Sequence, residues 1–320
     1  MNILITGANG FIGHALYRSL VDQNHHLTCV FRTKNQGGVE QEFASAALFF
    51  VDESDKHTDW GAALEGVEVV VHLAALAHLK PKKDDAQHQR FLAVNYEGTR
   101  NLAVQAAQKR VKRFVFISSI GVNGNQTREK PFSEEDVEHP HNSYAIAKLE
   151  AEKALRQIEA ETAMEVVILR PPLVYGPGVR ANFSKLLTLA HTRVPLPFAG
   201  ITNKRSFIAL ENLVDAIGVC IRHENAGGKT FLVSDGNDLS TKELVQKISK
   251  AMGRKPALFP VPDKWARPFF RFLGKQTLYE QLWGSLRVDS AKIHKELGWV
   301  PRVSVDQAIK RTVDWYLISR

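Results

Sequence analysis

A glycine-rich turn near the amino terminus constrains the fold of this chain more than any other feature. The chain begins MNILITGANGFIG, so the apolar segment Asn2–Thr6 leads directly into the spacing G-x-x-G-x-x-G, and an apolar helical pattern follows. Glycines between a strand and a helix permit a tight turn and close approach of the backbone to a pyrophosphate at the helix N-terminus. The segment therefore predicts a dinucleotide-binding unit. The residues expected to border the dinucleotide here are Gly7, Asn9, Gly10, Phe11, Ile12 and Gly13.

Strand-like and helix-like segments alternate along the first two thirds of the chain. Apolar runs lie at residues 2–6, 27–31, 47–51, 67–74, 114–118 and 166–169, and helical patterns lie at 14–23, 86–109, 143–161 and 183–193. Several of the runs are apolar on consecutive residues, as strands buried on both faces are. This order predicts an α/β protein with a Rossmann doubly wound parallel sheet.

The composition changes after about residue 171, where prolines and glycines cluster and the segments become shorter. We expect residues 1–171 to form the dinucleotide-binding domain, with later segments returning to it. Residues 172–320 are expected to form mainly a smaller α/β substrate lobe. Within that lobe, residues 265–283 are rich in large apolar side chains. Packing in the lobe core is the expectation for them, and an exposed patch for a dimer partner or a membrane surface is the alternative.

Charge and composition exclude several classes of function. The net charge of +8 suits an anionic partner, but the basic residues are scattered, so we expect no nucleic-acid ligand. Twelve histidines occur without the spacing of a metal site, and we expect no metal. Cys29 and Cys220 lie in apolar runs, as buried thiols of a reducing compartment do. The chain has no leader-like start and no run of 18 apolar residues, so a cytoplasmic location is expected. Membrane association is not expected, but the apolar stretch at residues 265–283 does not exclude it.

The residue that ends the second strand bears on the choice of cofactor. In a dinucleotide-binding unit an acid at this place binds the 2′-hydroxyl of NAD, whereas an arginine accommodates the 2′-phosphate of NADP. Arg32 falls there, and Thr33 and Lys34 could add to it. NADP(H) is therefore the expected cofactor and NAD(H) the alternative, in which Arg32 simply reaches solvent. Asp52, at the end of the third strand, is a candidate for the adenine region by position.

The segment SYAIAK, at residues 143–148, carries candidate catalytic groups. On a helix Tyr144 and Lys148 stand at i and i+4 and share one face. A nearby ammonium favours the phenolate, so Lys148 is placed to tune Tyr144 as an acid–base catalyst. Ser118 and Ser119 follow a predicted strand, at the edge where open α/β sheets bind ligands.

These motifs resemble those of the extended short-chain dehydrogenase/reductases, in particular the branch that epimerises, dehydrates or reduces nucleotide sugars. The landmarks stand in the family's order across nearly the whole chain: GANGFIG, HLAA at 72–75, VNYEGTRNL at 94–102, SSIGVNG at 118–124, SYAIAK, LRPPLVYGPG at 169–178, RSFI at 205–208 and LGWVP at 297–301. The resemblance implies that Tyr144 is the acid–base group. It also implies that Lys148 binds the nicotinamide ribose and lowers the tyrosine pKa, and that Ser119 bonds the reacting sugar oxygen.

The resemblance extends to residues around the cofactor and the substrate. Those implied to border or support the cofactor are Leu73, Ala74, Ala75, Asn95 and Ser118. For the substrate, Arg205 and Arg287 resemble arginines that hold a nucleotide diphosphate, and Asn182 is a candidate for a phosphate or sugar contact. Members of the family often dimerise through two helices, here residues 86–109 and Ser143–Glu161, so a homodimer is consistent with the resemblance.

Two departures from the pattern of sugar 4-epimerases favour reduction. Arg32 stands where those enzymes usually carry an acid. After Arg170 this chain has Pro171 and Pro172, where those enzymes usually have phenylalanine and asparagine after the arginine of the strand. With the late SLRVD segment at 285–289, the chain looks most like NADPH-dependent reductases of UDP-linked 4-keto-6-deoxy amino sugars for bacterial surface polysaccharide. The alternatives are an NAD-dependent 4-epimerase of UDP-glucose, UDP-N-acetylglucosamine or a lipid-linked sugar, and a cofactor-binding regulator without turnover.

Overall fold

The computed structural model describes residues 1–32, 38–77, 85–192 and 194–319, apart from the side chain of Ala181. Its strands are β1 (Asn2–Thr6), β2 (His26–Phe31), β3 (Ala46–Phe50), β4 (Val69–His72), β5 (Arg113–Ile117), β6 (Glu165–Arg170), β7 (Leu173–Tyr175), β8 (Phe207–Ala209) and β9 (Thr230–Leu232). Its α-helices are α1 (Phe11–Leu20), α2 (Val39–Glu42), α3 (Asp85–Phe91), α4 (Gly98–Gln108), α5 (Ser143–Glu161), α6 (Ala181–His191), α7 (Leu210–Arg222), α8 (Thr241–Ala251), α9 (Asp263–Phe272), α10 (Gln276–Trp283), α11 (Ala291–Leu297) and α12 (Val305–Ile318).

Seven parallel strands form the central sheet, in the order β3-β2-β1-β4-β5-β6-β9. The chain builds outward from β1 to β3, then returns to place β4 on the other side of β1. In such a sheet the crevice outside the carboxyl ends of the two strands at this reversal is where ligands bind. The prediction of a Rossmann doubly wound fold is confirmed.

Side chains alternate between the two covered faces of the sheet. On β1, Ile3 and Ile5 enter the core shared with α1 and α7, whereas Leu4 enters the core shared with α4 and α5. On β5, Val115 joins the first core and Phe114 the second. Strands with helices on both faces bury consecutive residues, as β4 and β5 do along their whole length, which explains their unbroken apolar runs.

The carboxyl-terminal part of the chain forms a core of its own, apart from the two cores on the faces of the sheet, and also returns to the sheet. β7 and β8 pair in parallel beside α6, α8 and α12, whose apolar faces pack together. β9 leaves this region and pairs with β6 at the edge of the central sheet. The division of function at about residue 171 stays a prediction.

Most predicted elements differ from the observed ones by one to three residues, and the helix Ser143–Glu161 coincides. The helix expected over 86–109 is instead α3, a π-helical segment Leu92–Glu97 and α4. A π turn holds more residues than an α turn, and such turns are common at functional sites. The helix expected over 183–193 is α6, and position 193 lies outside the described residues.

The expectation that residues 265–283 pack as core is wrong for much of the segment. Ala266 and Tyr279 are buried, but five large apolar side chains are exposed: Trp265, Phe269, Phe272, Leu273 and Leu278. The reason is that α9 and α10 pack against the rest of the lobe on one side only.

Candidate active site

The glycine turn after β1 packs so tightly that no side chain would fit at Gly7 or at Gly13. Gly7 adopts φ +67°, and a Cβ there would lie 2.8 Å from the main-chain nitrogen of Ala74. A Cβ at Gly13 would lie 2.1 Å from the Gly7 oxygen. Helix α1 then begins after Gly10, which has no side chain to cover the helix N-terminus. This bare turn and helix end fit the diphosphate of a dinucleotide, which the turn would hold through backbone N–H groups.

A chain of buried hydrogen bonds fixes the loop that faces this turn. Thr6 Oγ1 accepts the N–H groups of Leu73 and Ala74, both at 3.2 Å, so its own hydroxyl donates to Nδ1 of His72 at 2.7 Å. Nε2 of His72 then donates to Thr99 Oγ1 at 2.9 Å. Burial lowers the pKa of His72 to about 3, which keeps the ring neutral, as this relay requires.

Asn95, in the π-helical segment, holds the end of the same loop. Its Oδ1 accepts the N–H of Leu76 at 2.7 Å, and its Nδ2 donates to the Leu76 oxygen at 3.0 Å. The Thr99 hydroxyl donates to the Asn95 main-chain oxygen at 2.8 Å, which joins the two sets of bonds. Leu73, Ala74 and Ala75 are thus positioned along the carboxyl edge of the sheet, next to the glycine turn.

The two residues predicted at the adenosine end lie on the same edge of the sheet. Arg32 directly follows β2, Asp52 follows β3 by two residues, and both are exposed. β2 and β3 are neighbours, so their carboxyl ends lie side by side. Thr33 and Lys34, expected to assist Arg32, lie outside the described residues.

Lys148 is buried under the site, with only 1% of its surface exposed. Its Nζ donates to the main-chain oxygen of Ile117 at 2.8 Å and lies 4.4 Å from the centroid of the Phe116 ring. Burial lowers the Lys148 pKa to about 7, and the charge of Glu152 acts in the opposite direction. Lys148 therefore stands at the boundary between its charged and neutral forms near physiological pH.

Tyr144 shares the face of α5 with Lys148, as the i, i+4 spacing predicted. The lysine Nζ lies 6.0 Å from the centroid of the Tyr144 ring, which also packs edge-on against Phe91. Burial raises the Tyr144 pKa to about 12. The lowered tyrosine pKa expected from Lys148 is not found in the protein alone, because desolvation disfavours the charged phenolate and raises the pKa instead.

The two serines after β5 have different surroundings. Ser118 is buried, and its hydroxyl donates to the carboxylate of Glu152 on α5. Ser119 is half-buried and its Oγ accepts the N–H of Gly121 at 3.1 Å, which caps the short 3₁₀ turn Ile120–Val122. Accepting this bond leaves the Ser119 hydroxyl proton available as a donor at the carboxyl end of β5.

Besides Ser119, the three other predicted substrate residues all contact main-chain or amide oxygens. Nη1 of Arg205 donates to the Gly284 oxygen at 2.9 Å, at the end of α10, and burial lowers the Arg205 pKa to about 10. The Arg287 guanidinium donates to the main-chain oxygens of Arg128 and Glu129. Nδ2 of Asn182 donates to Oε1 of Gln281 at 3.2 Å. Asn182 and Arg205 therefore both lie beside α10.

Several residues that build this region carry no obvious sequence pattern. Glu152 and Arg170 form a buried ion pair behind Ser118, and Asn123 accepts a hydrogen bond from Arg170. The sequence does show Thr6 as a polar residue at the end of an apolar strand, which is a signal that could have identified it. Glu152 stands four residues after Lys148, a spacing that places both on one face of a helix.

Comparison with known proteins gives the family. The family model for the NAD dependent epimerase/dehydratase family matches residues 3–234. A UDP-glucose 4-epimerase of Vibrio cholerae is 40% identical over 318 residues, which cover 99% of this chain and 95% of that protein. An N-acetyl-α-D-glucosaminyl-diphospho-ditrans,octacis-undecaprenol 4-epimerase of Escherichia coli O157:H7 is 28% identical over 335 residues, covering 99% and 96% of the two chains.

A solved structure gives the same fold. The UDP-glucuronic acid 4-epimerase of Bacillus cereus, solved in complex with NAD, superposes with a TM-score of 0.78 and covers 100% of this chain and 99% of that one, at 20% identity. That identity supports the fold alone. The family model and the Vibrio cholerae relative each span most of the chain, and on these grounds the protein is an enzyme of the NAD dependent epimerase/dehydratase family, within the extended short-chain dehydrogenase/reductases.

Proposed function

We propose that this enzyme is a 4-epimerase of a UDP-linked hexose or N-acetylhexosamine that works with bound NAD. The observation that carries the proposal is the 40% identity, over almost the full length of both chains, to a protein described as a UDP-glucose 4-epimerase. A reductase was the first expectation from the sequence, and this likeness favours the epimerase alternative over it.

The dinucleotide, when bound, supplies reversible hydride transfer at C4 of the sugar. The proposed role of Tyr144 is to hold and move the proton of the C4 oxygen. Ser119 donates its hydroxyl to the same oxygen and so orients it. Lys148 donates to the Ile117 oxygen and lies 6.0 Å from the centroid of the tyrosine ring; its proposed role, in the charged form, is to favour the phenolate against the burial that raises the Tyr144 pKa.

The glycine turn and the loop after β4 are the proposed binding site of the dinucleotide. Gly7 and Gly13 provide a cradle that a Cβ would fill, and the Thr6–His72–Thr99 relay and Asn95 hold the facing loop. On the other side, residues 172–320 are proposed to hold the nucleotide sugar. Arg205 and Arg287 would exchange their main-chain oxygen partners for the diphosphate of the substrate, to which guanidinium groups bind strongly.

The test is interconversion of C4 epimers without net oxidation of cofactor. Purified enzyme is incubated separately with UDP-glucose, UDP-galactose and their N-acetylamino forms, and the products are separated by anion-exchange chromatography and identified by proton NMR. We expect one pair to reach the same equilibrium mixture from both sides, with catalytic amounts of NAD sufficient. An undecaprenyl-diphosphate-linked N-acetylhexosamine, the substrate class in the name of the Escherichia coli relative, is a further arm. Absence of interconversion in every arm would overturn the proposal.

Arg32 supports a second candidate, reduction of a UDP-linked 4-keto-6-deoxy amino sugar by NADPH. The residue is exposed at the end of β2, where a guanidinium suits a 2′-phosphate. This candidate requires that NADPH be consumed in equal amount to the keto sugar. It also requires that Arg32→Glu weaken NADPH binding at least about tenfold and leave NADH binding unchanged. Arg18→Glu, an exposed arginine on α1, is the charge-matched control.

A further inference from the structure

The hairpin of α9 and α10 presents large apolar side chains to solvent. Phe272 is 89% exposed and Trp265 is 66% exposed, and Phe269, Leu273 and Leu278 are also exposed. We call these five residues the α9 face. Side chains of this size are normally buried, and a cluster of them at the surface marks a site of interaction.

The α9 residues of this face are positioned by another side of the same helix, which packs against α10. Ala266 is buried, and the Phe270 ring packs against the rings of Tyr279 and Trp283, at centroid distances of 6.1 and 5.4 Å. Trp265, Phe269 and Phe272 recur at spacings of four and three, so they form one stripe along α9. The apolar stripe therefore points away from the protein because the other side of the helix is anchored.

Basic residues lie on the same hairpin as this stripe. Lys264, Arg267 and Arg271 are exposed on α9, and Lys275 is exposed in the turn before α10. Within the part of the chain that the structure describes, these four cations take part in no ion pair. The spacing of Arg267 and Arg271 places their side chains together on one face of α9, on the side turned away from the stripe.

We propose that the α9 face docks on the surface of an anionic lipid membrane. A helix with aromatic residues on one side and arginine or lysine on the other lies in the plane of a bilayer interface, with its rings among the acyl chains and its cations at the headgroups. Across the described residues, no helix is long and apolar enough to cross a membrane. A helix that lies in the interface makes a peripheral contact, and this inference goes beyond the proposed function.

Charge favours a membrane over a second copy of the chain. In a two-fold symmetric dimer the α9 face would meet itself, because such interfaces are self-complementary. A second copy would then add four cations of the same sign to the four that this hairpin carries, and like charges at close range repel. An anionic bilayer instead supplies both an apolar layer and the opposite charge.

Docking would bring the proposed substrate side of the enzyme to the bilayer. Asn182 and Arg205 both donate hydrogen bonds to α10 or its end. The hairpin that carries the α9 face is therefore in direct contact with residues predicted to hold the sugar nucleotide.

The test is co-sedimentation with vesicles made of equal parts phosphatidylcholine and phosphatidylglycerol, with pure phosphatidylcholine vesicles alongside. We expect the wild-type protein to sediment with the mixed vesicles and to be released by high salt. The variant Trp265→Ser/Phe272→Ser should lower the partition coefficient at least about tenfold, because the rings supply the apolar contact. Ile318→Ser, an 86% exposed side chain on α12, is the matched control and should leave binding unchanged.

The charge contribution has its own pair of variants. Arg267→Glu/Arg271→Glu should abolish the preference for phosphatidylglycerol, whereas Arg18→Glu/Arg100→Glu, with the same change in net charge, should keep it. Equal binding of all variants, or no sedimentation of the wild type, overturns the proposal. So does a wild-type dimer that Trp265→Ser/Phe272→Ser converts to monomer without any lipid binding. Turnover of a water-soluble UDP-sugar without vesicles is measured in parallel, so failure of docking is distinguished from failure of the proposed activity.

Discussion

Arg170, the last residue of β6, forms a buried ion pair with Glu152 on α5. Nε of Arg170 donates to both carboxylate oxygens, at 3.1 and 3.2 Å, and only 3% of Arg170 and 4% of Glu152 are exposed. The same carboxylate accepts the hydroxyl of Ser118, and Oδ1 of Asn123 accepts a hydrogen bond from Arg170 at 3.0 Å. One ion pair thus joins β6, α5 and the strand end that carries the two candidate serines.

Removing the cation alone should therefore destabilise the protein strongly. Arg170→Met leaves a buried carboxylate without its counter-ion, and we expect the free energy of unfolding to fall by about 3–5 kcal/mol. Urea unfolding followed by circular dichroism measures it. Arg170→Met/Glu152→Leu, which removes both charges, should recover most of the loss. Arg311→Met, which breaks the exposed pair with Glu211, is the control, and its loss of stability should be much smaller because solvent screens that pair. Equal losses for the two single variants would contradict this account.

The sequence predicted those features whose cause is local in the chain. The glycine turn lies within seven residues, and Tyr144 and Lys148 lie within five, so their spacing alone places them on a turn and on one helix face. The order of apolar runs predicted the parallel sheet for the same reason. Their roles in binding and catalysis stay predictions.

Features that depend on distant contacts could not be predicted. Glu152 looks like an ordinary charged residue of a helix surface until β6 brings Arg170 against it. Asn123 stands in a loop, and only the fold shows that it is fully buried and partners Arg170. The α9 face was expected in the core because aromatic residues usually lie there, and the sequence does not tell how many sides of a helix are covered.

Tyr144→Phe tests the acid–base assignment. The substitution keeps the ring and its packing against Phe91 but removes the proton donor. We expect turnover to fall roughly a hundred- to ten-thousand-fold, with dinucleotide affinity unchanged, as measured by steady-state kinetics and calorimetry. Tyr316→Phe removes a hydroxyl bonded to Thr188, at 3.2 Å, and should keep full turnover. Full activity in Tyr144→Phe would remove Tyr144 from the chemistry.

Gly7→Ala tests the dinucleotide cradle against a matched backbone control. Gly7 and Gly236 have nearly the same φ, +67° and +70°, but a Cβ at Gly236 meets nothing within 4 Å. Gly236→Ala should therefore lower the free energy of unfolding by about 1–2 kcal/mol from left-handed strain alone, and should bind the dinucleotide normally. Gly7→Ala adds a clash with Ala74, so we expect a larger loss of stability and loss of dinucleotide binding by calorimetry. Equal stability and equal dinucleotide affinity of the two variants would show that the turn has room for a Cβ at Gly7.

Lys148 should make the stability of the cofactor-free protein depend on pH. Its pKa is about 7 in the folded protein, whereas an exposed lysine titrates near 10.4. Between these two pH values the unfolded chain holds a proton that the folded protein lacks, so the free energy of unfolding rises with pH. Below the folded pKa the full penalty for burying the charge is present.

Lys148→Met removes this penalty along with the charge. We therefore expect the variant to gain stability relative to the wild type most strongly below pH 7, and the gain to shrink by roughly 4 kcal/mol as the pH approaches 10. Urea unfolding at a series of pH values measures the difference. Lys153→Met, an exposed lysine on the same helix, should show no such trend, since its charge is solvated in both states. The difference in free energy of unfolding between Lys148→Met and the wild type could instead stay constant from pH 6 to 10. Lys148 would then be charged throughout that range, and the charge of Glu152 would have to offset the cost of burying it.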